Sequence, residues 1–401
     1  MTLSRTTRVN GLIGTAHFLA HFYVLCLPPL FLVWQAAFHV RFAALGLVLA
    51  LMSATTAILQ TPVGFLVDRH GARYYLVGGA ALMSLGIAAM GLVTSFWQIL
   101  LCAVVSGIGN SVIHPADYTI LSGSVEKDRI GRSFALHTFA GNVGFSAAPP
   151  IMALLLLAIG WRASLVTAGL VGVAAAGAML AQSGLLEAGN PSSVRDGSPA
   201  VASGRLLVSG PILLFFGFYL LGAMSNSGIQ AWLITVLHRV AGVSLTAASA
   251  TLTAYTVGAT AGVLLGGFVA DAFKRHVLGF AVAVTIVSAS LLLAVNALPL
   301  PVVAIAGLML ASGLAVGASR APRDVMLKNA APAGQVGKVF GFVSAGLPLG
   351  SALTPVPFGF LIDRGHPELL LPLAAGLLLA SLVFVGAAVA WRRAPVAART
   401  G

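Results

Sequence analysis

Apolar residues in this chain run in long blocks instead of the short alternations that mark strands. Predominantly apolar stretches occupy 11–37, 43–67, 74–94, 97–122, 133–159 and 163–186, and then 208–237, 245–270, 277–297, 299–319, 339–362 and 369–391. At about 1.5 Å rise per residue, each is long enough as a helix to cross about 30 Å of hydrocarbon. The pattern predicts an all-α, polytopic membrane protein with twelve transmembrane helices. Arg5 and Arg8 ahead of the first run resemble the flank of a signal peptide, but the run is too long and carries His17 and His21, so it reads as span one.

Between spans six and seven lies the one long polar segment, 187–207 (EAGNPSSVRDGSPAVASGRLL), whose Pro, Gly, Ser and charge predict a flexible linker. It divides the chain into bundles at 1–186 and 208–401, six spans each. The halves also repeat: GFLVD at 64–68, ending span two, recurs as GFVAD at 267–271, ending span eight. Basic residues follow both copies, Arg69 and Arg73 in the first and Lys274 and Arg275 in the second, as a duplicated bundle predicts.

Composition agrees. With 58% hydrophobic and 8% charged residues, against roughly 25% charged in a soluble domain, the chain cannot clothe a soluble enzyme and is too apolar for a disordered segment. The net charge of +12 would suggest nucleic acid in a soluble protein, but here it reports topology. If both termini are cytoplasmic, 18 of the 22 lysines and arginines fall on inner segments, leaving only Arg41, Arg162, Arg239 and Arg364 outside. Trp34, Trp97, Trp161 and Trp391 sit at span ends and read as interfacial anchors. Cys26 and Cys102, both in apolar runs, read as packing residues, with no disulfide framework.

With two six-helix halves and a repeated loop motif, the sequence resembles the major facilitator superfamily along its whole length. The most specific local element is Gly64-x3-Asp68-Arg69-x-Gly71-x-Arg73, similar to the family's loop 2-3 signature, with a degenerate copy from Gly267 through Asp271 to Arg275. The resemblance implies a cytoplasmic latch between the halves, made and broken as the carrier changes conformation. Span five, Gly141-x2-Gly144-x3-Ala148-Pro149-Pro150, resembles the family's antiporter motif, with Ala148 where a glycine is expected. Span four has Ala103 where many proton-coupled members carry an arginine. Its His114-Pro115-Ala116-Asp117-Tyr118 is similar to the fosmidomycin-resistance branch, with a shortened carboxylate.

As the spans are drawn, Asp117 is the only carboxylate inside the membrane and no lysine or arginine lies within a span, which leaves a phosphonate substrate without a cation. An intramembrane acid costs several kcal/mol unless protonated, paired or hydrated, so Asp117 is the leading functional residue. His114 at i−3 and Asn110 one turn further back make a polar stripe expected to line a cavity. His17 and His21, at i and i+4, share a face of span one, and His137 lies on span five. The resemblance implies that the first and fourth spans line the central cavity, where His17, His21, His114 and Asp117 can converge, with Tyr118 beside them. In the second half Asn226 and Gln230, at i and i+4 on span seven, read as substrate hydrogen-bonding groups or inter-helix glue, as do Tyr219 and Tyr255.

The sequence therefore predicts a secondary transporter and not an enzyme, without cofactor or resident metal, monomeric in a bacterial inner membrane, moving a small molecule by alternating access. Proton-coupled export is the first reading, and a proton-coupled or facilitative importer of a small metabolite is the alternative. A metal-ion carrier built on His17, His21, His114 and Asp117 is a further alternative, although no HExxH-type helix or ligand-dense loop accompanies those residues. The latch motif and the absence of a soluble output domain count against a transport-dead sensor.

Overall fold

A computed structural model of the protein describes residues 4–125, 130–186, 207, 209–272, 276–332 and 336–393. Among them there is no strand. The α-helices are α1 (Arg5–Leu25), α2 (Phe31–Phe38), α3 (Phe42–His70), α4 (Ala72–Met90), α5 (Phe96–Ser124), α6 (Ile130–Ala181), α7 (Gly210–Ala241) and α8 (Leu245–Ala272). There follow α9 (Val277–Ala297), α10 (Val302–Ala330), α11 (Val336–Ser344), α12 (Gly346–Leu353), α13 (Pro355–Asp363) and α14 (Leu370–Arg393).

Among the described residues, eleven helical segments are long and apolar enough to cross a membrane, and one of these, the 50 residues of Arg132–Ala181, is two crossings in one. Fifty residues of helix would measure about 75 Å. The ladder turns back at Gly160, whose φ of 73° is open to glycine and costly for other residues. The crossings therefore number twelve, as the apolar pattern predicts. Two drawn spans are broken within the membrane. In span one, Pro28 and Pro29 lack N–H donors, so α1 gives way to a 3-10 turn at Pro28–Leu30 before α2 resumes. Span eleven is split into α11, α12 and α13, with Pro355 opening the last piece.

The packing order repeats between halves. In the first half α1 packs on α6, α3 and α4 on α5, and α4 on α6; in the second, α7 packs on α14 and α12, α8 and α9 on α10, and α9 on α14. Two further pairings join the halves in the same pseudo-symmetric way, α3 with α12 and α13, and α6 with α8. This is an all-α fold of two pseudo-symmetric six-helix bundles. The linker expected at 187–207 lies outside the described residues apart from Leu207, as do Lys274 and Arg275.

Two expectations need correction. Trp97 and Trp391 are exposed, as anchors would be, but Trp34 is fully buried, its ring edge-on to Trp161 at 6.2 Å. It packs inside the bundle because α2 turns its span end inward. Span ten, drawn to end at residue 319, continues as α10 to Ala330, carrying Arg320, Arg323 and Asp324 on a membrane-length helix. Charges depress the local hydropathy, but Arg323 and Asp324 pair with each other and with Tyr219 of α7, and the helix continues through them.

The halves meet closely at the face where α3 begins and α13 ends. Asp363, the last residue of α13, accepts hydrogen bonds from the backbone N–H groups of Phe42 (2.8 Å) and Ala43 (2.9 Å), the first two residues of α3. Both carboxylate oxygens thus satisfy donors that a helix start leaves orphaned. Beside them Trp232 of α7 donates to the Pro355 carbonyl at 2.9 Å and lies against Phe31 and Phe42, with ring centroids at 5.1 and 6.0 Å. Arg239 covers the Phe42 ring at 5.2 Å. At the opposite face, where α3 ends, Asp68 and Arg69 are exposed, and Asp68 has no ion-pair partner among the described residues.

Candidate functional site

Four histidines and one aspartate from three helices converge in the first half. His17 and His21 stand one turn apart on α1, with ring centroids at 4.4 Å, and His114 of α5 lies 5.0 Å from His17 and 6.0 Å from His21. His137 of α6 stacks on His17 at 3.7 Å with the rings 5° from parallel. The approach of α1 to α6 depends on the small residues of the antiporter-like motif: a Cβ at Gly141 would stand 2.6 Å from the His17 ring. The ring is held by a 2.6 Å hydrogen bond from His17 Nδ1 to the His137 carbonyl. As a carbonyl only accepts, Nδ1 carries the proton, leaving Nε2 of the neutral ring a bare lone pair.

Asp117 is fully buried. Its Oδ2 lies 3.0 Å from His137 Nε2, and the imidazole is itself almost wholly enclosed. A carboxylate and an imidazole can share one proton while the pair stays near zero net charge, which makes burial tolerable. The expectation that Asp117 would line a cavity with Asn110 and His114 is therefore corrected. On α5, which runs as one helix through Pro115, the carboxylate lies against α6, and its partner is His137 instead of His114.

Asn110 donates to Thr56 Oγ1 at 3.3 Å, tying α5 to α3. Tyr118 is half-exposed at the edge of the cluster, 5.5 Å from the His137 ring and 6.2 Å from that of His114. In the second half Tyr255 of α8 donates to Asn226 Oδ1 of α7 at 3.0 Å, whereas Gln230, half-buried, makes no hydrogen bond among the described residues. Tyr219 donates to Asp324 at 2.6 Å, and Arg323 both pairs with Asp324 at 3.1 Å and covers the Tyr219 ring at 3.9 Å.

Sequence reasoning missed Arg320. It is half-buried on α10, one turn before Arg323 and Asp324. It makes no hydrogen bond or ion pair among the described residues. The signal that could have found it is its register: Arg320 stands as far into α10 as His114 stands into α5, the matching helix of the other half.

Unpartnered nitrogens of His17 (Nε2), His21 (Nδ1) and His114 (Nδ1) are all buried, and one nitrogen from each of these rings falls within 4.8 Å of the others. Tetrahedral zinc with Zn–N bonds of 2.0–2.1 Å needs ligand nitrogens about 3.3 Å apart. The three imidazoles are one ligand short of a tetrahedral set, because Asp117, the fourth candidate, pairs with His137 instead. A separate cavity of about 500 Å³ between α1 and α6, lined by Asn10, Gly14, Phe18, Leu136 and Phe139 among others, does not include the histidines and is mostly apolar.

Of the latch residues, Gly64 and Asp68 lie in the last turns of α3. Gly71 breaks the chain before α4, and Arg73 donates to Ser183 Oγ at 2.8 Å within the same half. Gly267 lies near the end of α8, where Asp271 belongs to the described helix.

Comparison with known proteins places this geometry. The model of the Major Facilitator Superfamily matches residues 13–252 and 224–401. The chain is 32% identical over 129 residues to a probable L-galactonate transporter of Escherichia coli (strain K12), a match covering 32% of this chain but only 28% of that protein. To the fosmidomycin resistance protein of the same organism it is 24% identical over 280 residues, 68% of each chain. Among solved structures, a bacterial homologue of the human lysosomal transporter Spinster, in an inward-facing and occupied conformation, superposes with a TM-score of 0.79 at 16% identity, covering 100% of this chain and 98% of the other.

Proposed function

The chain belongs to the Major Facilitator Superfamily and is a multi-pass secondary transporter, and on that premise we propose that it exports a small molecule from the bacterial cytoplasm in exchange for protons. The observation that carries this reading is the Asp117–His137 pair, 3.0 Å apart and enclosed on α5 and α6. In the proposed cycle the Asp117–His137 pair takes up one proton when the carrier faces the outside, shares it between carboxylate and imidazole while the site is closed, and releases it when the carrier faces the cytoplasm. No lysine or arginine pairs with Asp117 among the described residues to hold it permanently ionised. The halves, 1–186 and 208–401, joined by the cytoplasmic 187–207 linker, rock against one another in a monomer whose termini are both cytoplasmic. Asp68 then lies on the cytoplasmic side, and its lack of an ion-pair partner fits a carrier open to the cytoplasm and closed at the Asp363 face.

Export is supported by the antiporter-like glycines of α6 and by the name of the fosmidomycin resistance relative. Import of a sugar acid, which the L-galactonate relative suggests, is the rival reading. The test uses proteoliposomes holding a pH dye, a proton gradient, and fosmidomycin or L-galactonate as probes. The wild type should accumulate one probe against its gradient, and Asp117→Asn should lose uphill transport while still exchanging that probe between equal pools. Uphill accumulation by Asp117→Asn would refute the assignment.

A further inference from the structure

Arg323 has its charge balanced, with Asp324 at 3.1 Å and the Tyr219 ring beneath it at 3.9 Å, and Tyr219 completes the group by donating to the same carboxylate. Arg320, one turn away on α10, has no such balance. It is half-buried, on the same face of α10 as Arg323 and Asp324 at i+3 and i+4. Those two meet Tyr219 of α7, so Arg320 stands on the side of α10 that faces α7, and Asn226 and Gln230 lie further along that helix.

A guanidinium held within a membrane bundle without a counter-ion is costly, and the cost is removed by a ligand that brings negative charge. Its planar fork matches a carboxylate or phosphonate bidentately. Nearby groups suit the rest of such a ligand. Tyr255 spends its proton on Asn226 Oδ1, which leaves the Asn226 amide N–H groups as donors. Gln230, one turn on along α7, has its whole amide uncommitted among the described residues. A metal cation would meet repulsion from Arg320, and a neutral ligand would leave the guanidinium unbalanced.

We infer that the transported substrate is a small organic anion, whose carboxylate or phosphonate group is bound by Arg320 on the side of α10 that faces α7. This rests on the transporter reading, but not on Asp117 as the proton carrier.

The test measures thermal stabilisation of the purified full-length protein at fixed pH and ionic strength. The panel holds small carboxylates and phosphonates, including gluconate, galactonate and fosmidomycin, together with neutral polyols such as sorbitol and small amines. At least one anion should be the strongest stabiliser. Arg320→Gln should weaken it about thirtyfold or more in half-saturating concentration, the scale expected when one partner of a buried charge pair is removed. Arg320→Lys, which keeps the charge but not the fork, should weaken it less. Asp117→Asn should bind the anion still, so loss of proton coupling and loss of anion recognition are read separately. The inference is overturned if no anion stabilises the protein, if a neutral or cationic compound stabilises it most, or if Arg320→Gln, shown monodisperse and helical, binds the anion as the wild type does.

Discussion

The contact between Asp363 and the start of α3 should set how readily the carrier opens on that face. The two hydrogen bonds, at 2.8 and 2.9 Å, join residues 320 or more positions apart in the chain and exist only while the halves touch there. Asp363→Ala removes both acceptors and a negative charge from a helix N-terminus. Loss of an N-cap costs about 0.5–2 kcal/mol, and a charge favourably placed at a helix start contributes about 0.3–1 kcal/mol. Because the side chain is only half-buried, with Trp232 and the Phe42 ring still packed beneath, a net 1–2 kcal/mol is the reasonable size, or about a 5- to 30-fold shift in the equilibrium. A conformer open at this face and populated at about 1% would rise to about 5–25%. The assay pairs spin labels at Ala36 on α2 and Ala241 at the end of α7, both exposed, in a background with Cys26 and Cys102 replaced by alanine. Pulsed dipolar spectroscopy should find a longer-distance component that grows in Asp363→Ala and grows less in Asp363→Asn, which retains one acceptor. Distance distributions identical to the wild type in both variants would mean that the aromatic and backbone packing closes this face alone.

Two further outcomes test the frame around the site. Reporter fusions at residue 196 and after residue 401 should both behave as cytoplasmic, and periplasmic-type activity at either would overturn the orientation. Asp68→Asn should slow turnover by about tenfold, the loss of roughly 1.4 kcal/mol, while leaving substrate affinity measured from the cytoplasmic side intact. Unchanged turnover would reduce the motif to a turn.

The apolar run lengths made the twelve crossings legible, because hydrocarbon thickness sets a length that sequence displays directly. Spacing likewise put His17 and His21 on one face, and His114 and Asp117 on adjoining turns. The partnership of Asp117 with His137 was not legible: it depends on how α5 is rotated against α6, which spacing along either helix does not specify. Arg320 was hidden for a different reason. A hydropathy window averages two arginines and an aspartate into an apparent loop, whereas the helix continues through them, with Arg323 and Asp324 meeting Tyr219 and each other. The Asp363 contact has no local signature at all, since a cap supplied by the other half leaves the N-terminus of α3 looking bare in sequence.

Gly160 joins the fifth and sixth crossings without a loop, and Arg162 fastens the bend by donating to the carbonyls of Gly91 and Val93 beyond α4. During synthesis the two crossings leave the ribosome as a single hairpin. The fifth carries His137 and two prolines and is a poor candidate to enter lipid by itself, but the sixth, which has no ionisable residue between 163 and 186, arrives directly behind it. The bend thus lets an oily segment carry a polar one into the bilayer, and it leaves that end of the bundle with almost nothing for a protease, an antibody or an inserted tag to grip.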